Sequence, residues 1–221
     1  MYTLVAAPLK GANVTGHRFL LVCMTCLLAL VVPALSGCLS SGTPAPGAVA
    51  ETGAAATSPE GGSPEMLTVT STSFADSGRI PNMYCAIGVD GASNISPQLS
   101  WTTPPEGTRS MLVTIVDHHP VARMWVHWVV VGIPPSVTDL AENASGALAG
   151  PARELKNATG RPGYGGPKPP VGSGDHDYVV TVYALDIEEP PLPKEPTASD
   201  IALAVDRHAL AMGTITGVFG R

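Results

Sequence analysis

Cysteine is scarce in this chain, and so is positive charge. Of the four cysteines, Cys23, Cys26 and Cys38 fall within the first 38 residues, so a globule built from the remainder holds one thiol, Cys85, and no internal disulfide. Charged residues make up only 14% of the chain, with 12 Lys and Arg against 18 Asp and Glu and no basic run. Nucleic-acid binding needs clustered cations to replace counterions on the phosphates, so that class is excluded. The chain has no G-x-S-x-G elbow, no H-E-x-x-H and no phosphate-cradling Walker loop, so no activated nucleophile or metal-bound water can be named and the expectation is a non-enzyme. What is abundant is apolar and turn-forming: 44% hydrophobic residues, 24 glycines and 22 prolines, which suits a loop-rich β-protein with few helices.

The two ends of the chain differ in kind. Lys10 and Arg18 precede an uncharged apolar run over residues 19–35, and Leu35-Ser36-Gly37-Cys38 follows it. The pattern is that of an export signal. The last four residues resemble a lipobox, which implies diacylation of Cys38 and anchorage to the outer face of the cytoplasmic membrane. An uncleaved anchor is the competing reading, since 17 apolar residues stand at the lower limit for crossing about 30 Å of hydrocarbon. Cys23 and Cys26 form a C-x-x-C inside the signal and would leave with it. Without Lys10 and Arg18, ten basic residues face 18 acidic ones, and the mature chain carries a net charge of about −8. In residues 39–65, 22 of 27 positions are Ala, Gly, Pro, Ser or Thr, a composition that predicts a disordered tether spanning on the order of 30 Å. The expected organisation is therefore a signal over 1–38, a tether over 39–65 and one domain over 66–221.

Within the domain, residues 66–73 alternate like a strand, and residues 95–101 give a short strand candidate ended by Pro104-Pro105. Residues 111–116 and 125–133 are near-continuous Val- and Ile-rich runs, the pattern of central strands covered on both faces. The eight residues between them suit a hairpin, which would bring Asp117 near His127. Residues 134–177 show no period; residues 178–185 restore a strand, so His176 is expected just before it. Thr197-Ala198-Ser199-Asp200 reads as a capping box, and Ile201, Val205, His208, Ala209 and Met212 keep helical spacing up to Gly213. Residues 214–219 would form a last strand.

Three stretches on these strand ends carry chemistry: Val116-Asp117-His118-His119-Pro120, Val126-His127-Trp128, and Tyr164-Gly165-Gly166-Pro167-Lys168-Pro169-Pro170 followed by His176. Imidazoles and loop N–H groups can grip an anion, and a carboxylate beside them can orient a ring. Together with residues 74–81, Ser96-Pro97-x-Leu99-Ser100-Trp101, His176-x-Tyr178, Tyr183-Ala184-Leu185-Asp186 and His208 followed by Gly217 and Arg221, they resemble the phosphatidylethanolamine-binding proteins, in their bacterial and archaeal Raf-kinase-inhibitor-like branch. The resemblance runs from about residue 74 to 221. It implies a mainly β fold: two antiparallel sheets packed as a sandwich with a few peripheral helices, one of them near the C-terminus. It also implies a pocket for phosphate-like head groups built from Asp117, His127, Gly166, Pro167, Pro169, His176 and Tyr178. In it His127 and His176 would donate to the anion, Gly166 and its neighbours would leave backbone free for close approach, Tyr178 could add a hydroxyl, and Asp117 would orient one imidazole.

The chain departs from the family pattern at Asp117-His118-His119-Pro120-Val121, where the family has Asp-Pro-Asp-Ala-Pro, and at Asp177, where a basic residue often follows the histidine. Lys168 is an uncommon cation inside the Gly-Pro loop. His118 and His119 read as solvated, His208 as structural on the helix, and Trp101, Trp125 and Trp128 as core. Asn94, Asn143 and Asn157 begin glycosylation sequons. Three functional classes follow: a tethered, cofactor-free binder of phosphate-bearing small molecules or phospholipid head groups; a protein-binding regulator with a serine protease as partner; and a metal-dependent hydrolase built from Asp117, His118, His119, His127 and His176.

Overall fold

The computed structural model describes residues 65–221; the leader, Cys38 and residues 39–64 of the expected tether lie outside the described residues. In chain order the elements are β1 (Glu65–Met66), β2 (Val69–Thr70), β3 (Gly78–Arg79), a 3-10 turn (Asn82–Tyr84), β4 (Leu99–Trp101), β5 (Ser110–Asp117), β6 (Trp125–Ile133), β7 (Asp139–Leu140), β8 (Arg153–Glu154), β9 (Asp175–Leu185), α1 (Ala198–Val205) and β10 (Ala209–Gly220). A seven-stranded sheet runs β1-β10-β9-β5-β6-β8, with β3 also on β10, and a three-stranded sheet runs β2-β4-β7. All the long pairings are antiparallel; only the two-residue strands β1 and β3 meet β10 in parallel. Among the described residues the architecture is mainly β, with two sheets and a helix near the C-terminus, as the sequence resemblance implied; the only other helical element described is the 3-10 turn, where a few peripheral helices were expected. No described helix is long and apolar enough to cross a membrane.

The apolar runs become the centre of the large sheet because both of its faces are covered. On one face Met111, Val113, Ile115, Trp128, Val130, Val180 and Val182 pack against Leu99 and Trp101 of the small sheet. On the other, Leu112, Val129, Val131 and Leu185 pack against Ile201 and Val205 of α1. Trp128 and seven further apolar side chains of β5 and β6 are at most 1% exposed, each contributing about 1.5–3 kcal/mol by its removal from water. Residues 66–73 do not form one strand: Met66 pairs with β10 and Val69 with β4, so the chain crosses between sheets within three residues.

At the C-terminus the capping box forms, with Asp200 N–H donating to Thr197 Oγ1 at 3.2 Å and Thr197 N–H to Asp200 Oδ2 at 2.8 Å. The helix nevertheless stops at Val205, seven residues short of the expected end at Met212. Residues 209–220 instead pair along nearly the whole of β9. Eight helical residues are too few to be stable alone, and the ladder to a buried central strand outweighs the local helical period. His208 is therefore not on a helical stripe; it lies in the turn before β10, half-exposed, with Nδ1 2.8 Å from Asp186 Oδ1.

Candidate functional site

Register brings the three histidine-bearing stretches together. Asp117 ends β5 opposite Trp125 of β6 on one side and Tyr178 of β9 on the other. His176, expected just before a strand, is the second residue of β9, two residues from Tyr178 and so on the same face. His127 would alternate onto the helix-covered face with Val129 and Val131. A β-bulge prevents this: Ile115 faces Trp128 and Val116 faces Val126, so His127 has no partner across β5. Its ring meets Tyr178 edge-on, with centroids 5.1 Å apart, the re-aiming of a side chain that bulges perform at sites.

The polar groups are bonded in a fixed order. Asp117, 3% exposed, accepts from His119 N–H at 2.9 Å and binds His176 Nδ1 at 2.7 Å. The other nitrogen of His176, Nε2, is 2.9 Å from Ser173 Oγ, so both ring nitrogens are engaged. His127 Nδ1–H donates to Gly165 O at 2.5 Å, and Gly165 N–H returns a bond to His127 O at 2.9 Å. His127 Nε2 makes no such bond among the described residues. Burial holds the His127 pKa below 6.5, against the opposing pull of the Gly165 carbonyl and the Asp117 charge. The ring is thus neutral at pH 7 and presents a lone pair at Nε2. A base whose folded pKa is depressed in this way weakens the fold as pH drops below about 6.5, because the unfolded ring takes its proton first.

Tyr178 completes the group. Its hydroxyl is buried with no hydrogen-bond partner, and burial followed by the nearby Asp117 charge pushes its pKa far up, so it stays a donor. These residues line a cavity of about 380 Å³, closed by Val121, Ala122 and Trp125 on one side and by Lys168, Pro169 and Pro170 on the other. Of the seven residues that the resemblance implied, Asp117, His127, Gly166, Pro169, His176 and Tyr178 line it. Pro167 lies instead in a small adjoining hollow that His127 and Tyr178 also border.

Several sequence expectations change at this point. Gly166 does not leave backbone free for a ligand: its N–H donates to Asn94 Oδ1 at 2.8 Å, and a Cβ there would stand 2.2 Å from the Tyr84 carbonyl oxygen. Its smallness is required by the segment 84–86 beneath it. His176 has no idle N–H for an anion in this arrangement. His119 is not simply solvated; its ring stacks on His176 with centroids 3.8 Å apart, and its Nδ1 accepts from Val121 N–H at 3.3 Å. Trp125 is 43% exposed and borders the cavity, whereas Trp101 and Trp128 are core. Asn157 is buried beside the cavity, donating to Gly163 O, so its sequon offers no accessible amide. Cys85 is fully buried, and desolvation pushes its thiol up to about 11, which leaves it without thiolate character.

Trp125, Val121, Asn157 and Thr159 were missed as pocket residues. For Trp125 a signal existed, since it stands two residues before His127; nothing local marks the others. No group of three or more His, Cys, Asp or Glu converges on a metal-sized point among the described residues, because Asp117 and His176 are spent on each other.

Comparison with known proteins agrees with this geometry. The family model described as phosphatidylethanolamine-binding protein matches residues 70–220. A UPF0098 protein of the archaeon Methanothermobacter thermautotrophicus is 38% identical over 152 residues, covering 67% of this chain and 95% of the relative. LppC of Mycobacterium tuberculosis, named as a candidate lipoprotein, is 35% identical over 210 residues, covering 93% and 98%. The crystal structure of Escherichia coli YbcL, described as a new member of the mammalian PEBP family, superposes with a TM-score of 0.64 at 31% identity, covering 70% of this chain and 98% of YbcL. With its sheets, its bulged histidine strand and its Gly-Pro loop in place, the chain belongs to the phosphatidylethanolamine-binding protein family, in the bacterial and archaeal branch.

Proposed function

We propose that this protein is an extracytoplasmic, lipid-anchored binder of small phosphate-bearing molecules or phospholipid head groups, and not an enzyme. One observation carries the reading: the Tyr178 hydroxyl is buried at the cavity without a protein partner, beside His127, whose Nδ1 is committed to Gly165. A buried donor left unpaired costs about 1–3 kcal/mol, which a ligand oxygen at Tyr178 would recover. The anchor rests on the lipobox-like Leu35-Ser36-Gly37-Cys38 and on the similarity to LppC. Ser173, whose Oγ lies 2.9 Å from His176 Nε2, donates its proton to Pro170 O at 2.7 Å and is not among the residues lining the cavity, which favours retention over turnover.

The ligand must bring a proton to His127. Nδ1–H is committed to Gly165, so neutral His127 can only accept at Nε2. A phosphomonoester can supply the proton as its monoanion, its second pKa being about 6; otherwise the ring must take a proton up. Either way the complex holds more protons than the free partners, and affinity rises as pH falls from 8 to 6, by up to about tenfold per pH unit. A phosphodiester bearing an ammonium group donates from nitrogen and shows no such rise. The test is NMR of the histidine rings during titration with glycerol phosphate, a monoester without an ammonium group, and with glycerophosphoethanolamine. Ring shifts at His127 with a pH-dependent monoester and a pH-independent diester are expected. Silence at His127 with both ligands eliminates the binder, and a monoester affinity that is level across the range eliminates the proton coupling.

A further inference from the structure

What His127 can offer a ligand is decided by the Gly165 carbonyl, because the ring nitrogen that donates to it is closed to anything else and the other is left as an acceptor. That carbonyl lies in irregular chain: residues 164–170 belong to no strand or helix, so no ladder fixes its direction. A side chain from a distant segment does so instead. Asn94 Nδ2 donates to Tyr164 O at 3.1 Å, and Asn94 Oδ1 accepts from Gly166 N–H at 2.8 Å. Tyr164 O can only accept and Gly166 N–H can only donate, which settles which end of the amide is which. One side chain thus grips the main chain on both sides of Gly165.

We propose that Asn94 is a positioning residue of the binding site, which keeps the Gly165 carbonyl on His127 Nδ1 and so sets the ring to accept at Nε2; this rests on the binding reading above. Peptide planarity carries the effect. The C=O and N–H of a trans peptide point in opposite directions, so a partner on one side aims the group on the other. The Gly165–Gly166 peptide gives its N–H to Asn94 and its carbonyl to His127 Nδ1; the Tyr164–Gly165 peptide gives its carbonyl to Asn94 and its N–H to His127 O at 2.9 Å. Both peptides are therefore bridges from the Asn94 amide to His127. The turn has other supports that do not set these planes, Asn157 Nδ2 to Gly163 O and Tyr164 N–H to Ser145 Oγ, each at 2.8 Å. Asn94 is itself fixed, at φ +53°, a region asparagine enters more readily than most residues, with its N–H on Cys85 O at 3.0 Å. The amide that its sequon would offer for glycosylation is engaged in the site.

Two variants of the full chain separate the amide from the backbone it stands on. Asn94→Gly keeps access to positive φ and removes both bonds; Asn94→Asp keeps the size and the acceptor for Gly166 N–H and removes the donor to Tyr164 O. The readout is NMR of the His127 ring nitrogens, with His176, held by Asp117, as an internal reference. In the wild type Nδ1 should carry the proton. In the variants that preference should fall about fivefold for each bond lost, while the His176 nitrogens stay where they are. A ring able to donate at Nε2 takes a phosphate dianion directly, so the rise in affinity for glycerol phosphate toward low pH should flatten in Asn94→Gly. His127 nitrogens unchanged in both variants overturn the proposal whatever the melting temperatures, and so does a pH slope in Asn94→Gly as steep as that of the wild type. If glycerol phosphate still shifts wild-type His127 in that case, the binding reading survives. If the variants change the tautomer and glycerol phosphate leaves wild-type His127 silent, Asn94 keeps its hold on the ring and the binding reading fails.

Discussion

Asp117→Ala is expected to abolish ligand binding and to destabilise the domain by about 3–5 kcal/mol, the cost of removing one member of a buried hydrogen-bonded pair. The carboxylate accepts from two groups, the part-buried His119 N–H at 2.9 Å and the buried His176 Nδ1 at 2.7 Å. Both would be stranded, and the 1%-exposed His176 ring, stacked under His119, would lose the contact that fixes its orientation. For a domain of this size the loss corresponds to a fall in Tm of roughly 6–20 °C. Asp117→Asn separates orientation from packing. Its amide oxygen can still accept from His119, but its NH2 faces His176 Nδ1 and forces the ring into the other tautomer, with Nε2–H toward Ser173. Calorimetry should therefore rank wild type above Asn and Asn above Ala, while nitrogen shifts of His176 invert between wild type and Asn. Equal melting of the Ala variant and wild type would show that Asp117 does not organise the site.

The central strands were legible because a run such as residues 111–116, Val- and Ile-rich with no polar alternation, has few other stable homes than the middle of a sheet covered on both sides. Asp117, His127 and His176 were likewise legible as a set, since strand ends joined by a hairpin and a long return must lie at one end of the sheet. Hydrogen-bond direction was not legible. Whether His127 and His176 donate to a ligand depends on what their second nitrogens already touch, and Gly165 O and Ser173 Oγ are fixed by tertiary placement. The helix over 201–212 failed for a similar reason. Its apolar spacing was real as far as Val205, but Ala209, Ala211, Gly213, Ile215, Gly217 and Phe219 also fit period two, and pairing with β9 decides between the periods. Gly213, read as a helix stop, is the point where β10 is crossed by Leu67, whose carbonyl oxygen would lie 2.1 Å from a Cβ. Trp125 was assigned to the core because the strand pattern around it is apolar. Its place at the first position of β6, beside the cavity mouth, is set by where the turn of residues 118–124 ends.

Two adjacent glycines allow a prediction that follows from space alone, because neither needs a left-handed backbone. Gly166→Ala would set its methyl 2.2 Å from Tyr84 O, 2.6 Å from the Cys85 carbonyl carbon and 2.7 Å from Ala86 N. All three are backbone atoms, so no rotamer change relieves the clash and either the Gly-Pro loop or the segment 84–86 must move. Movement breaks the Ala86 N–H bond to Pro167 O at 3.0 Å and strains the Tyr164 hydroxyl bond to Tyr84 O at 2.8 Å, which together close the cavity floor. Overpacking of this kind costs about 1–3 kcal/mol or more, which predicts a Tm lower by roughly 2–12 °C. Gly165→Ala meets only the Asn157 side-chain nitrogen, at 3.2 Å, a group that can yield by a few tenths of an ångström. It should melt within about 2 °C of wild type, a cost below about 0.5–1 kcal/mol. Ligand affinity should follow the same order, with Gly166→Ala losing binding because Pro169 and Lys168 ride on the displaced loop. Should both variants melt and bind alike, the loop is not pinned by segment 84–86, and the cavity wall it forms must be held by its other bonds, Gly166 N–H to Asn94 Oδ1, Lys168 Nζ to Ile87 O and Arg221 Nε–H to Pro169 O.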